Sequence, residues 1–216
     1  MKTVNTRFNA AERGFRFVNS FTIPDTLRLT SLRRKSPPVI LEDVVYGLCG
    51  GMVFAALDYF QRDKPIPTFE AVRDLTPELF QYLWARQRAS LKYPVLKDVL
   101  AWTLRDDASL ASSVAGHQVS KLWARLDAGE PAPLVLIRVG GISQLMQNHQ
   151  VLATGYDYAA ETERLAIRLY DPNYPGKTPT LTLNLASPRD GIKLAESTGD
   201  TLRGFFVIGY EPKTPP

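Results

Sequence analysis

Two chemistry-bearing residue types are scarce here: one cysteine and two histidines among 216 residues. A single cysteine excludes an intramolecular disulfide framework and any cysteine-rich zinc site. No stretch approaches the roughly 18 consecutive apolar residues that a membrane-crossing helix needs. Residues 1–21 lack an apolar run and carry Arg7, Glu12, Arg13 and Arg16, so they do not read as a secretory signal. The expectation is a cytoplasmic protein, with export by a signal-free route left open. Also missing are a Gly-x-Gly-x-x-Gly fingerprint, a phosphate-binding P-loop and a Gly-x-Ser-x-Gly elbow. There is no internal repeat and no long low-complexity linker. No nucleotide cofactor or metal is implied.

What is present is ordinary globular material. With 44% hydrophobic and 22% charged residues, the chain can bury a core of its own. Charge is uneven. Residues 1–36 hold Lys2, Arg7, Arg13, Arg16, Arg28, Arg33, Arg34 and Lys35 against Glu12 and Asp25, a net of +6, so a total of +4 leaves −2 for residues 37–216. A basic arm of this kind can meet nucleic acid, anionic lipid or an acidic partner, but a solvated extension is the plainer reading. Only Arg33-Arg34-Lys35 is a run, and no aromatic-basic interleaving builds a stacking platform. The expected organisation is a basic arm over 1–36 packed on the body, one domain over 37–211, and a frayed tail over 212–216.

Hydrophobic spacing divides the body in two. Residues 1–48 look irregular, with short strands expected at 14–18 and 26–30. From Cys49, the positions Met52, Ala55, Ala56, Tyr59 and Phe60 share one helical face, and Asp63-Lys64-Pro65 stops it. Thr76-Pro77 reads as an N-cap and first helical residue, opening a helix to about Leu91. Further helices are expected after Pro94 and over about 118–128, ending at Gly129. Strand patterns then take over at 134–139, 149–156, 164–170, 180–185 and 204–210. Helices first and strands second predict an α+β domain. Trp84, Trp102 and Trp123 fall in helical patterns and read as core.

Cys49 sits in Tyr46-Gly47-Leu48-Cys49-Gly50-Gly51-Met52, where irregular chain turns helical. A helix N-terminus offers unpaired N–H groups and positive dipole, which favour thiolate over thiol. The alternative is a small buried cysteine in a glycine-rich packing site. His149 opens a strand in Asn148-His149-Gln150-Val151, and Asp171 and Asn173 follow the next strand in Tyr170-Asp171-Pro172-Asn173. The two strands read as a hairpin with a loop near 158–163. With Asp157 opposite Arg164, His149 falls opposite Pro172; one residue of slip puts it opposite Asp171. Asp171 and Asn173 are therefore the groups able to orient a His149 base. Asp58 and Asp157 are possible charged neighbours, Asp157 more simply as a turn residue. Gly140-Gly141 reads as a mobile loop near the site, and with Gly50 and Gly51 it forms the expected substrate loop. His117 reads as a surface or capping histidine. A zinc site from Cys49, His117, His149 and Asp171 has suitable ligand types but no recognisable spacing.

The order of Cys on a helix, His on a strand and an acid or amide on the next strand resembles the papain-like cysteine peptidase superfamily. Within it, His149-Gln150-Val151-Leu152-Ala153-Thr154-Gly155-Tyr156-Asp157 and Tyr170-Asp171-Pro172 are similar to the bacteriocin-processing (double-glycine leader) peptidases and their stand-alone relatives. The Leu48–Met52 and Asn148–Val151 segments are also similar to those of bacterial proteins without an assigned function. The resemblance implies a papain-like α+β fold with Cys49 as nucleophile, His149 as general base and Asp171 as orienting acid, Asn173 being the alternative. It implies a peptide or protein substrate and no cofactor. Such enzymes usually carry an oxyanion-hole glutamine shortly before the cysteine, and residues 42–48 contain none. The Cys49 N–H, with Tyr46 or Gln150, is the substitute the sequence offers. Peptidase, amidase, deamidase and transglutaminase share this constellation. A catalytically silent binding module using the basic arm, and a secreted toxin or effector hydrolase, are the alternatives.

Overall fold

The computed structural model describes residues 1–29, 45–188, 192–195 and 201–216. Arg33-Arg34-Lys35 and Glu42–Val44 lie outside the described residues. The order begins β1 (Lys2–Asn5), α1 (Ala10–Arg13), β2 (Phe21–Thr22), α2 (Ile23–Leu29), β3 (Val45–Tyr46) and α3 (Cys49–Gln61). It continues with α4 (Pro77–Ser90), α5 (Tyr93–Thr103), α6 (Asp107–Ser113) and α7 (Val119–Asp127). Strands then follow: β4 (Ala132–Ile137), β5 (His149–Ala159), β6 (Arg164–Tyr170), β7 (Thr180–Asn184), β8 (Ile192–Ala195), β9 (Thr201–Leu202) and β10 (Gly204–Val207). The protein is a mixed α+β fold.

Among the described residues, one antiparallel sheet runs β10-β4-β5-β6-β7-β8-β9, and β1 adds to β5 beyond the reach of β4. All six β4 residues are buried, the expected state of an apolar run inside a sheet. Helix α3 lies against β5 on one side and α4 on the other. Its residues Gly50 through Tyr59 are buried, which explains a sequence that is apolar nearly all round. Thr76 caps α4 by accepting from the Leu79 N–H at 3.2 Å, with Pro77 first in the helix. Trp102 is core, while Trp84 and Trp123 pack partly buried against it.

Several expectations need correction. No strand forms at 14–18. Phe15, Phe17 and Phe21 alternate because they pack as an aromatic cluster against Tyr59 and Phe80, not because they pair in a ladder. Residues 23–29 are helical, and the strands of residues 1–29 are β1 and the short β2, which pairs with β3. The hairpin register is different too. Asp157 pairs with Ala166 and Ala159 with Arg164, leaving a turn of four residues; a bulge at Thr154 then shifts the register inward. Asp157 is thus within β5, ion-paired to Arg168, rather than in the turn. The tail is not frayed: the Lys213 N–H donates to Asp58 at 2.7 Å, Lys64 Nζ reaches Pro215 O at 3.0 Å, and Pro215 is buried. No helix of the described residues is long and apolar enough to cross a membrane.

Candidate active site

Three elements meet where β5 begins and β6 ends, in the interior of the sheet order. Helix α3 starts at Cys49, and its N-cap Leu48 offers no side-chain acceptor. The first intrahelical bond runs from the Met52 N–H to Leu48 O at 2.8 Å, and the Gly51 N–H donates to Gln87 Oε1 on α4 at 2.7 Å. The Cys49 N–H stands at the first helical position, where no backbone acceptor exists within the helix. It and the helix dipole both favour negative charge beside the sulfur.

His149 opens β5 and Asp171 follows the last residue of β6. His149 Nε2 lies 2.7 Å from Asp171 Oδ1, with both side chains buried. Asp171 Oδ1 also accepts the Asn173 N–H at 2.8 Å, so the carboxylate is held from two directions. With Nε2 committed, the other ring nitrogen is left for Cys49, and the thiol and imidazole interact electrostatically. Burial by itself would raise the Cys49 thiol. The interaction with His149 and its charge, with the N–H groups of Gln150 and Gly50, outweigh that and hold the thiol below its ordinary value. Burial would likewise lower the His149 imidazole, yet the Asp171 charge and hydrogen bond, and then Cys49, hold it well above its ordinary value. Both displacements favour one charge state, thiolate beside imidazolium.

Asn173 is not a partner of His149. Its side-chain oxygen accepts from Asn19 Nδ2 at 3.0 Å, and its role toward the carboxylate is through its backbone. Asn19 is the residue that sequence reasoning missed. Its Oδ1 accepts the Leu48 N–H at 2.5 Å, and its own N–H donates to Pro172 O at 3.0 Å. One side chain thus joins the turn entering α3 to the loop carrying Asp171. Spacing carries no signal for it, since Asn19 precedes Cys49 by thirty residues.

An open cleft of about 670 Å³ lies over these groups, bordered by Asn19, Tyr46, Cys49, Asn148, His149 and Asn173 among others. Tyr46 faces it, but its hydroxyl is bonded to Thr26 Oγ1 and its ring stacks on Phe21. Gln150 is buried, with Oε1 lacking a partner beside Gly50. Gly50 and Gly51 are not a substrate loop. A Cβ on Gly50 would lie 2.1 Å from Ser90 Oγ, and one on Gly51 would lie 2.3 Å from Leu83 O, so both exist to let α3 approach α4 and β5. Gly140 and Gly141 do not border the cleft, whereas Arg138 and Val139 just before them do. Gly140 packs by Arg203, whose Nη1 donates to Val139 O at 3.1 Å. Asp58 lies far along α3 in a separate network. His117 is exposed in a wide helical turn, Val114–Gln118. Among the described residues, no group of three or more His, Cys, Asp or Glu is placed to hold a metal. Compared with protein-family models, characterised proteins and solved structures, the chain matches none.

Proposed function

We propose that the protein is a cysteine-dependent hydrolase or acyl transferase acting on an amide or peptide bond, with Cys49, His149 and Asp171 as its triad. The observation that carries this reading is the chain Asp171–His149–Cys49, which ends in a thiol lowered by its imidazole at the border of a cleft. A helix beginning at the thiol and packed on an antiparallel sheet bearing histidine and acid resembles papain-like architecture, and supports the same reading.

The chemistry follows from the charge state. The Cys49 thiolate adds to a carbonyl carbon and forms the C–S bond, while the carbonyl electrons move to oxygen. The Cys49 N–H and the α3 dipole face that developing charge. Collapse breaks the carbon–nitrogen bond, and the leaving amine takes the proton from the His149 imidazolium. A water or other acceptor then gives its proton to His149 and attacks the thioester, and the thiolate departs. Asp171 keeps the ring oriented throughout and stabilises it whenever it is protonated.

The test is the rate of Cys49 alkylation by iodoacetamide from pH 4 to 9, in the wild type and in His149→Ala. The expected onset lies below the ordinary thiol value of about 8.5 and moves up to it in the variant. At pH 6 an ordinary thiol is only about 0.3% ionised, so His149→Ala should slow the reaction there, by about tenfold for each unit that the thiol value rises. A thiol that titrates at its ordinary value and ignores His149 would overturn the proposal.

A further inference from the structure

Beside the open cleft lies a second, smaller space of about 100 Å³. The two share Gly47, Cys49, Asn148 and His149, so they meet at the thiol. Their characters differ. The cleft is bordered by amides and Arg138, while the small chamber is walled by Leu91, Leu96, Val99, Val135 and Leu145. These come from the end of α4, from α5, from β4 and from the turn before β5. Val99 and Val135 are core residues, but Leu96 is 47% exposed although it forms a wall, leaving apolar surface that an occupant would cover.

Resting on the catalytic reading above, we infer that this chamber selects the substrate: it takes a branched aliphatic group of about three or four carbons, attached next to the carbonyl that Cys49 attacks. The position follows from bonding. In an acyl-enzyme, the group on the atom next to the carbonyl is the substituent nearest the sulfur, and the chamber opens at the sulfur. The size follows from volume. A cavity of roughly 150 Å³ accommodates benzene, so about 100 Å³ holds a valine or leucine side chain and rejects a ring. The polarity follows from the walls. Beyond Cys49 and His149, which the reaction itself uses, they carry no charged side chain; Gln87 Oε1 is engaged by the Gly51 N–H, the Asn148 amide donates to Thr103, and Gln150 presents an unpaired Oε1 acceptor, so an added anion there would be strongly disfavoured. Glycine would leave the chamber empty and its apolar lining uncovered.

The test uses chloromethyl ketones of N-acetylated glycine, valine, leucine, phenylalanine and aspartate. Each is attacked by the Cys49 sulfur with loss of chloride, and each rate is divided by the iodoacetamide rate of the same protein. Valine and leucine labels are expected to react at least about tenfold faster than the glycine label, with phenylalanine and aspartate no faster than glycine. Val99→Phe, which fills the chamber, should level the series. Should that variant fold poorly, Leu96→Ala provides the second arm: it alters a half-exposed wall and should speed the phenylalanine label several-fold. A flat wild-type series, a preference for glycine or aspartate, or a preference unmoved by both wall variants would overturn the inference. The iodoacetamide pH profile separates the two readings. An activated thiol with a flat series removes only the chamber's role, and because rates are compared on one thiol, the series is informative even if the thiol titrates normally.

Discussion

Helix α3 meets a buried carboxylate near each of its ends, and the two are surrounded differently. Near the C-terminal end, Asp58 accepts from Tyr82 Oη at 2.8 Å, Tyr210 Oη at 2.8 Å and the Lys213 N–H at 2.7 Å, and Arg86 Nε lies 2.7 Å away. Burial, and then the bond to Asp58, push both phenols above their ordinary value, so they remain donors. Arg86 also donates to Glu211 O at 2.8 Å and stacks its guanidinium by Phe54 and Tyr210. The two phenols, the Lys213 N–H and the Arg86 guanidinium all serve to join α3, α4 and the tail. At the N-terminal end, Asp171 has two donors, and one of them passes the interaction on to a thiol that borders a cleft. Burial of an acid is common to both. What separates the two is where each network ends: one on the backbone of the tail, the other on an imidazole beside a thiol at a cleft.

The largest effect expected from breaking this comparison is at the Asp58 network. Arg86→Ala should lower unfolding free energy by roughly 3–5 kcal/mol in a urea titration, because it strands a buried carboxylate. The folded fraction should keep the wild-type alkylation profile. Replacing both partners, Asp58→Leu with Arg86→Met, should cost less than Arg86→Ala alone, since no buried charge is left over. The opposite pattern, an altered thiol profile with unchanged stability, would show that the two ends are not independent.

Asp171→Asn should do the reverse, changing reactivity more than stability. The carboxylate raises the imidazole value, and the resulting imidazolium lowers the thiol value. Without it, His149 loses its proton at lower pH and the thiolate appears at higher pH, so the ion-pair window narrows from both sides. Alkylation at pH 6 should fall by about tenfold or more, one unit in the thiol value being a factor of ten. The smallest effect is expected at Thr76→Ala. Loss of the α4 cap should cost about 1 kcal/mol in thermal or urea unfolding and leave the Cys49 profile in place.

Much of the element list was legible because local chemistry dictated it. Thr76-Pro77 starts α4 through a side-chain acceptor and a fixed φ, and the apolar run read at 134–139 is strand through Ile137, with the strand opening two residues earlier at Ala132. β1 was not legible. Lys2, Thr3, Val4 and Asn5 show no apolar alternation, and the strand exists because the β5 edge near residue 157 is open to it. Phe15 and Phe17 misled for a related reason: alternation reports burial on one side, and an aromatic cluster buries residues as well as a sheet does. The hairpin register failed at the turn, which closes over residues 160–163 and sets Asp157 opposite Ala166 rather than Arg164; the bulge at Thr154 then takes back one of the two residues of difference.

For the site, the sequence by itself determined the candidate residues: one thiol at a helix start, one imidazole at a strand start, one carboxylate after the next strand. Those depend on residue type and on elements a few residues long. It also pointed to glycines around Cys49, but their purpose was decided in three dimensions, where α4 and β5 press on them. Only the tertiary structure chose Asp171 over Asn173, brought Asn19 across the chain to hold Leu48, and placed an apolar chamber beside the sulfur. The physical reason is range. Helix starts and strand runs are written in neighbouring residues, whereas a hydrogen bond of 2.7 Å between groups 22 residues apart, or a cavity walled by four elements, exists only once the whole core has closed.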